Sequence, residues 1–215
     1  MPSNDLLLYF VYAFTTIFVI VNPIEATLVY VSLTASLTPS ERRRICRRTT
    51  FVAFAIAILF SVAGDAVLRL FGITVDSLRV AGGVLLFLVA MDMLRGVHQD
   101  KKVTQAELRD ANQRDDISIF PLAIPLLTGP GAITTVVVLM GAAAEYVEKA
   151  LVLLAISFTF LATYMILKSS EHIDQALGIT GIMVMTRIMG LILGAVAVSF
   201  VATGAWNLYL ALAGA

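Results

Sequence analysis

A single cysteine, Cys46, and two histidines occur in 215 residues. One thiol excludes an intramolecular disulfide. His98 and His172 lack the spacing of a metal or haem pair, so neither metal nor cofactor is expected. Charge is scarce as well: 14% of residues are charged, 59% are hydrophobic, and the formal net charge is zero. That composition lies outside the range of ordinary soluble domains, and no nucleic-acid partner is expected. No Gly-x-x-x-x-Gly-Lys-Ser/Thr loop occurs, which excludes ATP binding in the manner of P-loop pumps. Neither a His-Glu-x-x-His motif nor a serine–histidine dyad within the apolar segments is present, so no enzyme is expected.

Long apolar runs are abundant. A bilayer core of about 30 Å needs roughly 20 apolar residues per helix, and six segments qualify: 6–34, 49–71, 75–96, 117–141, 150–168 and 179–202. Arg42, Arg43, Arg44, Arg47 and Arg48 sit between the first two spans. Arg95, Lys101, Lys102, Arg109 and Arg114 flank spans three and four, and Lys168 follows span five. The N-terminal stretch, residues 142–149 and the C-terminal tail together carry only Lys149. Because basic residues favour the cytoplasmic side, the termini are expected outside a cell (plasma or inner) membrane. Spans one to three then run opposite to spans four to six. The arginine cluster is expected at anionic lipid headgroups, with Pro39 near a helix start.

Two breaks in these spans correspond. Asn22-Pro23 interrupts span one and Gly129-Pro130-Gly131 interrupts span four. Aligned on the prolines, Thr27 falls on Thr134, and two valines coincide. The match continues beyond the breaks: Gly72-Ile73-Thr74 with Gly178-Ile179-Thr180, and Arg79-x-x-Gly82 with Arg187-x-x-Gly190. Matches in one order at nearly one offset are the mark of an inverted repeat. The expected fold is therefore an all-α membrane protein with six transmembrane helices in two inverted-topology three-helix repeats. Residues 1–215 form a single transmembrane domain: a first repeat over 1–96, a cytoplasmic linker over 97–116, and a second repeat over 117–215. Helices 1 and 4 are broken near the midplane.

Proline cannot donate its backbone hydrogen bond, so each break needs neighbours or a ligand. Asn22 is a good N-cap and Pro23 a good first helical residue. Thr128-Gly129-Pro130 repeats that grammar, and Gly131 allows close backbone approach. Half-helix N-termini suit a carboxylate and carbonyl ends suit a cation. The expected ligand is a small zwitterion held by Asn22, Pro23, Glu25, Thr27, Thr128, Gly129, Pro130, Gly131 and Thr134. Ionisable residues inside a membrane are functional candidates by default. Glu25, Arg187 and Asp92 are accordingly candidates for H+ or Na+ coupling or for intramembrane charge, with Glu25–Arg187 and Asp92–Arg95 pairs as the structural alternatives. Asp65, Arg69, Asp76 and Arg79 are expected as one surface cluster outside. Thr186, Gly190 and Gly194 recur every four residues, a packing face within the subunit or in a homo-oligomer.

These residues resemble the MarC family, within the wider LysE-type group of amino-acid exporters. The resemblance rests on Asn-Pro in span one, the arginine-rich first loop and, most specifically, Pro125-Leu126-Leu127-Thr128-Gly129-Pro130-Gly131-Ala132-Ile133. It implies a 3+3 inverted repeat and secondary transport of small neutral amino acids such as glycine and alanine. Family members often carry Asp/Asn-Pro-Ile/Leu-Gly with a proline three residues later; here Glu25 and Leu28 stand at those places. A passive small-solute channel, or an exporter of another metabolite or drug, is the alternative.

Overall fold

The computed structural model describes residues 3–96 and 117–213. The linker expected over 97–116 lies outside the described residues. Every regular element among the described residues is helical: α1 (Ser3–Val21), α2 (Pro23–Thr34), α3 (Pro39–Leu70), α4 (Val75–Arg95), α5 (Pro130–Ala142), α6 (Tyr146–Lys168) and α7 (Ser170–Ala213). Five lengths are long and apolar enough to cross a membrane: Asp5–Thr34, Pro39–Leu70, Val75–Arg95, Tyr146–Lys168 and Thr180–Ala213. Ser118–Leu127 and Pro130–Ala142 make a sixth when taken together, bent by 58° between them.

The helix starts follow capping chemistry. Thr38 and Glu41 form a reciprocal capping box with Pro39 in the first turn, satisfying donors that a helix N-terminus otherwise leaves open. Thr74 caps α4 by accepting from the Ser77 amide. Gly72 before α4 and Gly178 within α7 hold corresponding places in the repeated Gly-Ile-Thr, and both take positive φ, 65° and 58°. A left-handed residue ends a run of helix, and glycine adopts that conformation without a Cβ penalty.

The segment before the second break is not the half-helix expected from sequence. Phe120 and Ile124 are extended at φ −125°. Each precedes a proline, whose ring disfavours helical backbone in the residue before it.

Side-chain contacts define two opposite faces of the bundle. On one, the Tyr30 hydroxyl donates to the Arg42 carbonyl and the Thr49 hydroxyl to the Ser118 carbonyl. Cys46 lies against the Tyr164 carbonyl there. This arginine face gathers the ends of α2 and α6 with the starts of α3 and of the irregular segment. On the other, Tyr9, Arg79, Ala142 and Thr203 border one cavity, so the starts of α1 and α4 meet the ends of α5 and α7. Successive spans therefore alternate in direction.

Packing divides into two bodies. The larger core joins α1, α2, α3, α5, α6 and the irregular segment through residues such as Ile17, Ala26, Ala53, Leu127, Val136 and Ile156. A smaller core unites α4 and α7 through Leu86, Ala90, Met93, Leu193, Ala197 and Phe200, and meets the rest at Val19 and Val138. Small residues bring α4 and α7 together. A Cβ on Gly83 would stand 2.7 Å from Val201 Cγ2 and 2.9 Å from the Ala197 carbonyl, and one on Gly190 would stand 2.9 Å from Met93 Cβ. The Gly190–Gly194 stripe thus packs inside the subunit. Large side chains such as Phe51, Leu59, Val62, Leu70 and Leu191 are exposed, as a lipid-facing surface requires. Trp206 and Tyr209 pack together near the end of α7, both exposed, which suits an interfacial belt.

This close approach makes a prediction. Gly83→Leu should cost about 1–3 kcal/mol, as overpacking does. Gly194→Ala meets only Ala90 Cβ at 3.7 Å and should be neutral or stabilising by up to about 1 kcal/mol. Thermal unfolding of the purified protein in detergent checks both; equal melting temperatures for Gly83→Leu and the parent would contradict the packing.

Candidate functional site

At the first break, Asn22 takes the left-handed conformation, φ 48° and ψ 62°, which asparagine tolerates better than most residues. Its amide still donates to the Phe18 carbonyl and its carbonyl accepts from Ala26, so hydrogen bonding continues on both sides of a one-residue interruption. The Asn22 side chain accepts from the Glu25 amide at 3.4 Å and donates to the Glu25 carboxylate. Asn22, Pro23, Glu25 and Thr27 are all buried, Glu25 to 2% exposure. Thr27 donates to the Ile24 carbonyl at 2.6 Å. The first break therefore caps itself and keeps a carboxylate inside the protein.

The second break is built differently. The amide and hydroxyl of Thr128 both donate to the Ala123 carbonyl, at 3.0 and 2.8 Å, which closes the irregular segment on itself. Gly129 is extended and precedes α5 without a side-chain cap. A side chain at Gly129 would put its Cβ 2.7 Å from the Pro125 carbonyl oxygen, so that turn admits only glycine. The first amides of a helix have no partner within it, and α5 begins with Pro130-Gly131-Ala132. Pro130 is exposed, and Gly129 and Gly131 are half-buried. An accessible N-terminus with partial positive charge is suited to an anion.

The two breaks approach one another. A Cβ on Gly131 would stand 3.7 Å from Ile20 Cγ2, two residues before Asn22, and 2.9 Å from Leu86 Cδ2 of α4. Thr134, one turn into α5, is buried and packs so closely on Gly82 of α4 that any Cβ there would overlap its methyl group. The remaining candidates lie elsewhere. Arg187 is exposed on α7, its guanidinium beside Gly96 at the end of α4, and it stands apart from Glu25. Asp92 is half-buried near the same end of α4. The four charges expected as one cluster form two separate pairs: exposed Arg69 with Asp65, and largely buried Arg79 with Asp76, each at 2.9 Å.

Residues not singled out from sequence also border the site. Ile20 and Leu86 are apolar residues in apolar helices, and nothing in their type marks them. Separately, the buried hydroxyls of Thr135, Thr159 and Thr186, the last already named in the small-residue stripe, have no hydrogen-bond partner among the described residues. A threonine in a helix usually bonds a carbonyl in the preceding turn, so composition alone cannot reveal these. No group of three or more potential metal ligands occurs among the described residues.

A helical bundle of this length and apolarity, with its large side chains turned outward, is that of an integral membrane protein. Its sequence matches the description "MarC family integral membrane protein" over residues 7–209, and the chain belongs to that family. It is similar to a UPF0056 membrane protein of Methanocaldococcus jannaschii, with 42% identity covering 91% of this chain and 95% of that one. It is also similar to the UPF0056 membrane proteins YvbG of Bacillus subtilis, 34% identical over 91% of this chain and 93% of the relative, and YhcE of Escherichia coli, 35% identical with 93% of each chain covered. No solved structure matches.

The backbone at Asn22 generates a prediction. Asn22→Ala loses the cap and places a Cβ residue in the left-handed region, and should cost about 1–2 kcal/mol. Asn22→Gly loses the same side-chain contacts to Glu25 but keeps the backbone conformation, and should cost about 1 kcal/mol less than Asn22→Ala. Chemical denaturation in detergent reads both, and equal losses would exclude the left-handed backbone as a reason for asparagine.

Proposed function

We propose that this chain is a secondary transporter of small neutral amino acids, of glycine or alanine size, working by alternating access with substrate bound between the two breaks. The observation that carries this reading is the contrast between the breaks. The first is capped by its own asparagine and holds a buried carboxylate; the second presents an uncapped, accessible helix start. A zwitterion complements both: its carboxylate at the amides of Gly131 and Ala132, its ammonium toward Glu25. Glycines at 129 and 131 leave space for a small ligand and little surface for a large one.

The inverted-repeat reading has support in the packing. Exchange of the two halves pairs α1 on α6 with the irregular segment on α3, α2 on α6 with α5 on α3, and α2 on α7 with α5 on α4; each member of these pairs is in contact. Contacts of α4 with α7 and of α3 with α6 map onto themselves. The repeated glycines at positive φ and the alternation of span direction fit the same scheme. With basic residues on the cytoplasmic side, the arginine face lies inside and the termini outside. The α4–α7 pair, with its own core, is the body that rocks against the rest, and Leu86 at Gly131 lies on the seam. Glu25, buried at the site, is the candidate for H+ or Na+ coupling in this scheme.

Counterflow in proteoliposomes tests the reading. Labelled glycine or alanine should exchange for unlabelled substrate, whereas a channel gives no counterflow. Gly131→Val, whose side chain would press on Leu86 and occupy the approach to the amides, should reduce exchange by about tenfold or more, the effect of about 1.4 kcal/mol, while the protein elutes and melts like the parent. Unchanged glycine and alanine affinity in that variant would remove Gly131 from the site. For coupling, Glu25→Gln should transport without dependence on an imposed proton gradient. Full retention of that dependence would exclude Glu25 as the proton carrier.

A further inference from the structure

A second polar feature lies away from the breaks, at the face where α1 begins and α7 ends. Arg79, Tyr9, Tyr12, Ser199 and Thr203 border a cavity of about 130 Å³, with Val138 and Phe200 among its apolar lining. The arginine side chain is only 12% exposed and makes a 2.9 Å ion pair with Asp76, which also accepts from Asn207 Nδ2 at 3.1 Å. Asp76 and Asn207 thereby hold the guanidinium in place. A guanidinium has five N–H donors in a planar fork, and Asp76 is its sole hydrogen-bond or ion partner among the described residues. Largely buried donors call for partners, and here they border a cavity that Tyr9 and Tyr12 of the facing helix also line; the Tyr9 hydroxyl donates to the Leu139 carbonyl at 3.5 Å. This is no general surface charge: the Arg69–Asp65 pair, by contrast, is exposed.

We infer that this cavity is a binding site for a small carboxylate, with Arg79 as its charge partner and the Tyr12 hydroxyl as a further donor. A planar fork meets a carboxylate through two parallel N–H bonds, which a point charge cannot do. The volume admits a few heavy atoms, in the size range of acetate or the smallest amino acids, and excludes a peptide. The cavity also adjoins the seam between the two bodies. Its lining residues Val138 and Phe200 belong to the core of Val19, Leu86, Leu193 and Ala197, and Leu86 reaches Gly131. That apolar core separates the Arg79 cavity from the second break as a closed plug. In the transport scheme, on which only this placement rests, the cavity is an external station for the substrate carboxylate. The repeat sets Arg187 as the counterpart of Arg79, beside Gly96 at the other end of α4.

Protection of an engineered thiol tests the carboxylate site without requiring transport. In a Cys46→Ser background, which removes the sole native cysteine, Thr203→Cys places a thiol at the cavity rim. The full-length protein in detergent is labelled with a maleimide in the presence of acetate, glycine or methylamine. Acetate and glycine should slow labelling, by about threefold at about twice the dissociation constant, and methylamine should not. Arg79→Gln should abolish the protection. Arg79→Lys, which keeps the charge but loses the fork, should weaken it and carries the test if the glutamine variant does not fold. Absence of protection by either carboxylate would overturn the inference, as would equal protection by methylamine or protection undiminished in a folded Arg79 variant. Acetate protection should persist when Gly131→Val is added, so loss of the site at the breaks and loss of this cavity give different results.

Discussion

A proline inside an apolar helix leaves the carbonyl one turn earlier without its donor, and a hydrocarbon environment offers no water to replace it. The arrangement of this protein depends on how that requirement is met at two places. At Asn22 a left-handed residue allows helical hydrogen bonding to continue on either side, and the side chain supplies the cap. At Gly129 the preceding segment abandons regular helix, ties Thr128 back to Ala123 and turns by 58° before α5 begins. The same covalent problem thus has a closed solution in one half of the chain and an open solution in the other.

That asymmetry gives the candidate site its polarity. Two identical uncapped helix starts would present two positive poles and no place for an ammonium group. Instead, Glu25 brings a negative group to the first break, while the second keeps its amides accessible. The neighbouring contacts are apolar and close, through Ile20 and Leu86. In the proposed scheme these two side chains and the glycines at 129 and 131 set the size of the ligand. The division into two cores matters for the same reason: α4 and α7 pack on each other through glycine and alanine, and meet the remaining helices across a seam that runs past both Gly131 and the Arg79 cavity.

Arg79 and Arg187 share a local sequence pattern and differ in their surroundings. Both occupy the Arg-x-x-Gly position, yet Arg79 is largely enclosed and held by Asp76, while Arg187 is exposed beside Gly96. The difference follows from the neighbours. An aspartate three residues before Arg79 and an asparagine on α7 fix its guanidinium; the position three residues before Arg187 is Val184, which can offer no such hold.

Much of the architecture was legible in the residues alone. Length and apolarity mark the spans, because a bilayer sets a minimum run of apolar residues. Thr38-Pro39 and Thr74 mark helix starts, because capping is local chemistry. Asn22-Pro23 and Gly129-Pro130 mark the breaks, because proline acts on the residues beside it. Other properties depend on residues far apart in the chain, and only the tertiary structure decided them. The pre-proline residues Phe120 and Ile124 forfeit helix where apolar pattern favoured it. The four charges Asp65, Arg69, Asp76 and Arg79 separate into two pairs, since Arg79 is enclosed beside α1 and α7 and Arg69 is exposed. Ile20 and Leu86 become neighbours of Gly131 through packing of α1, α4 and α5, a relation that no periodicity within one helix contains. Local conformation follows from adjacent residues; a cavity, a seam and the company of a charge follow from which helices meet.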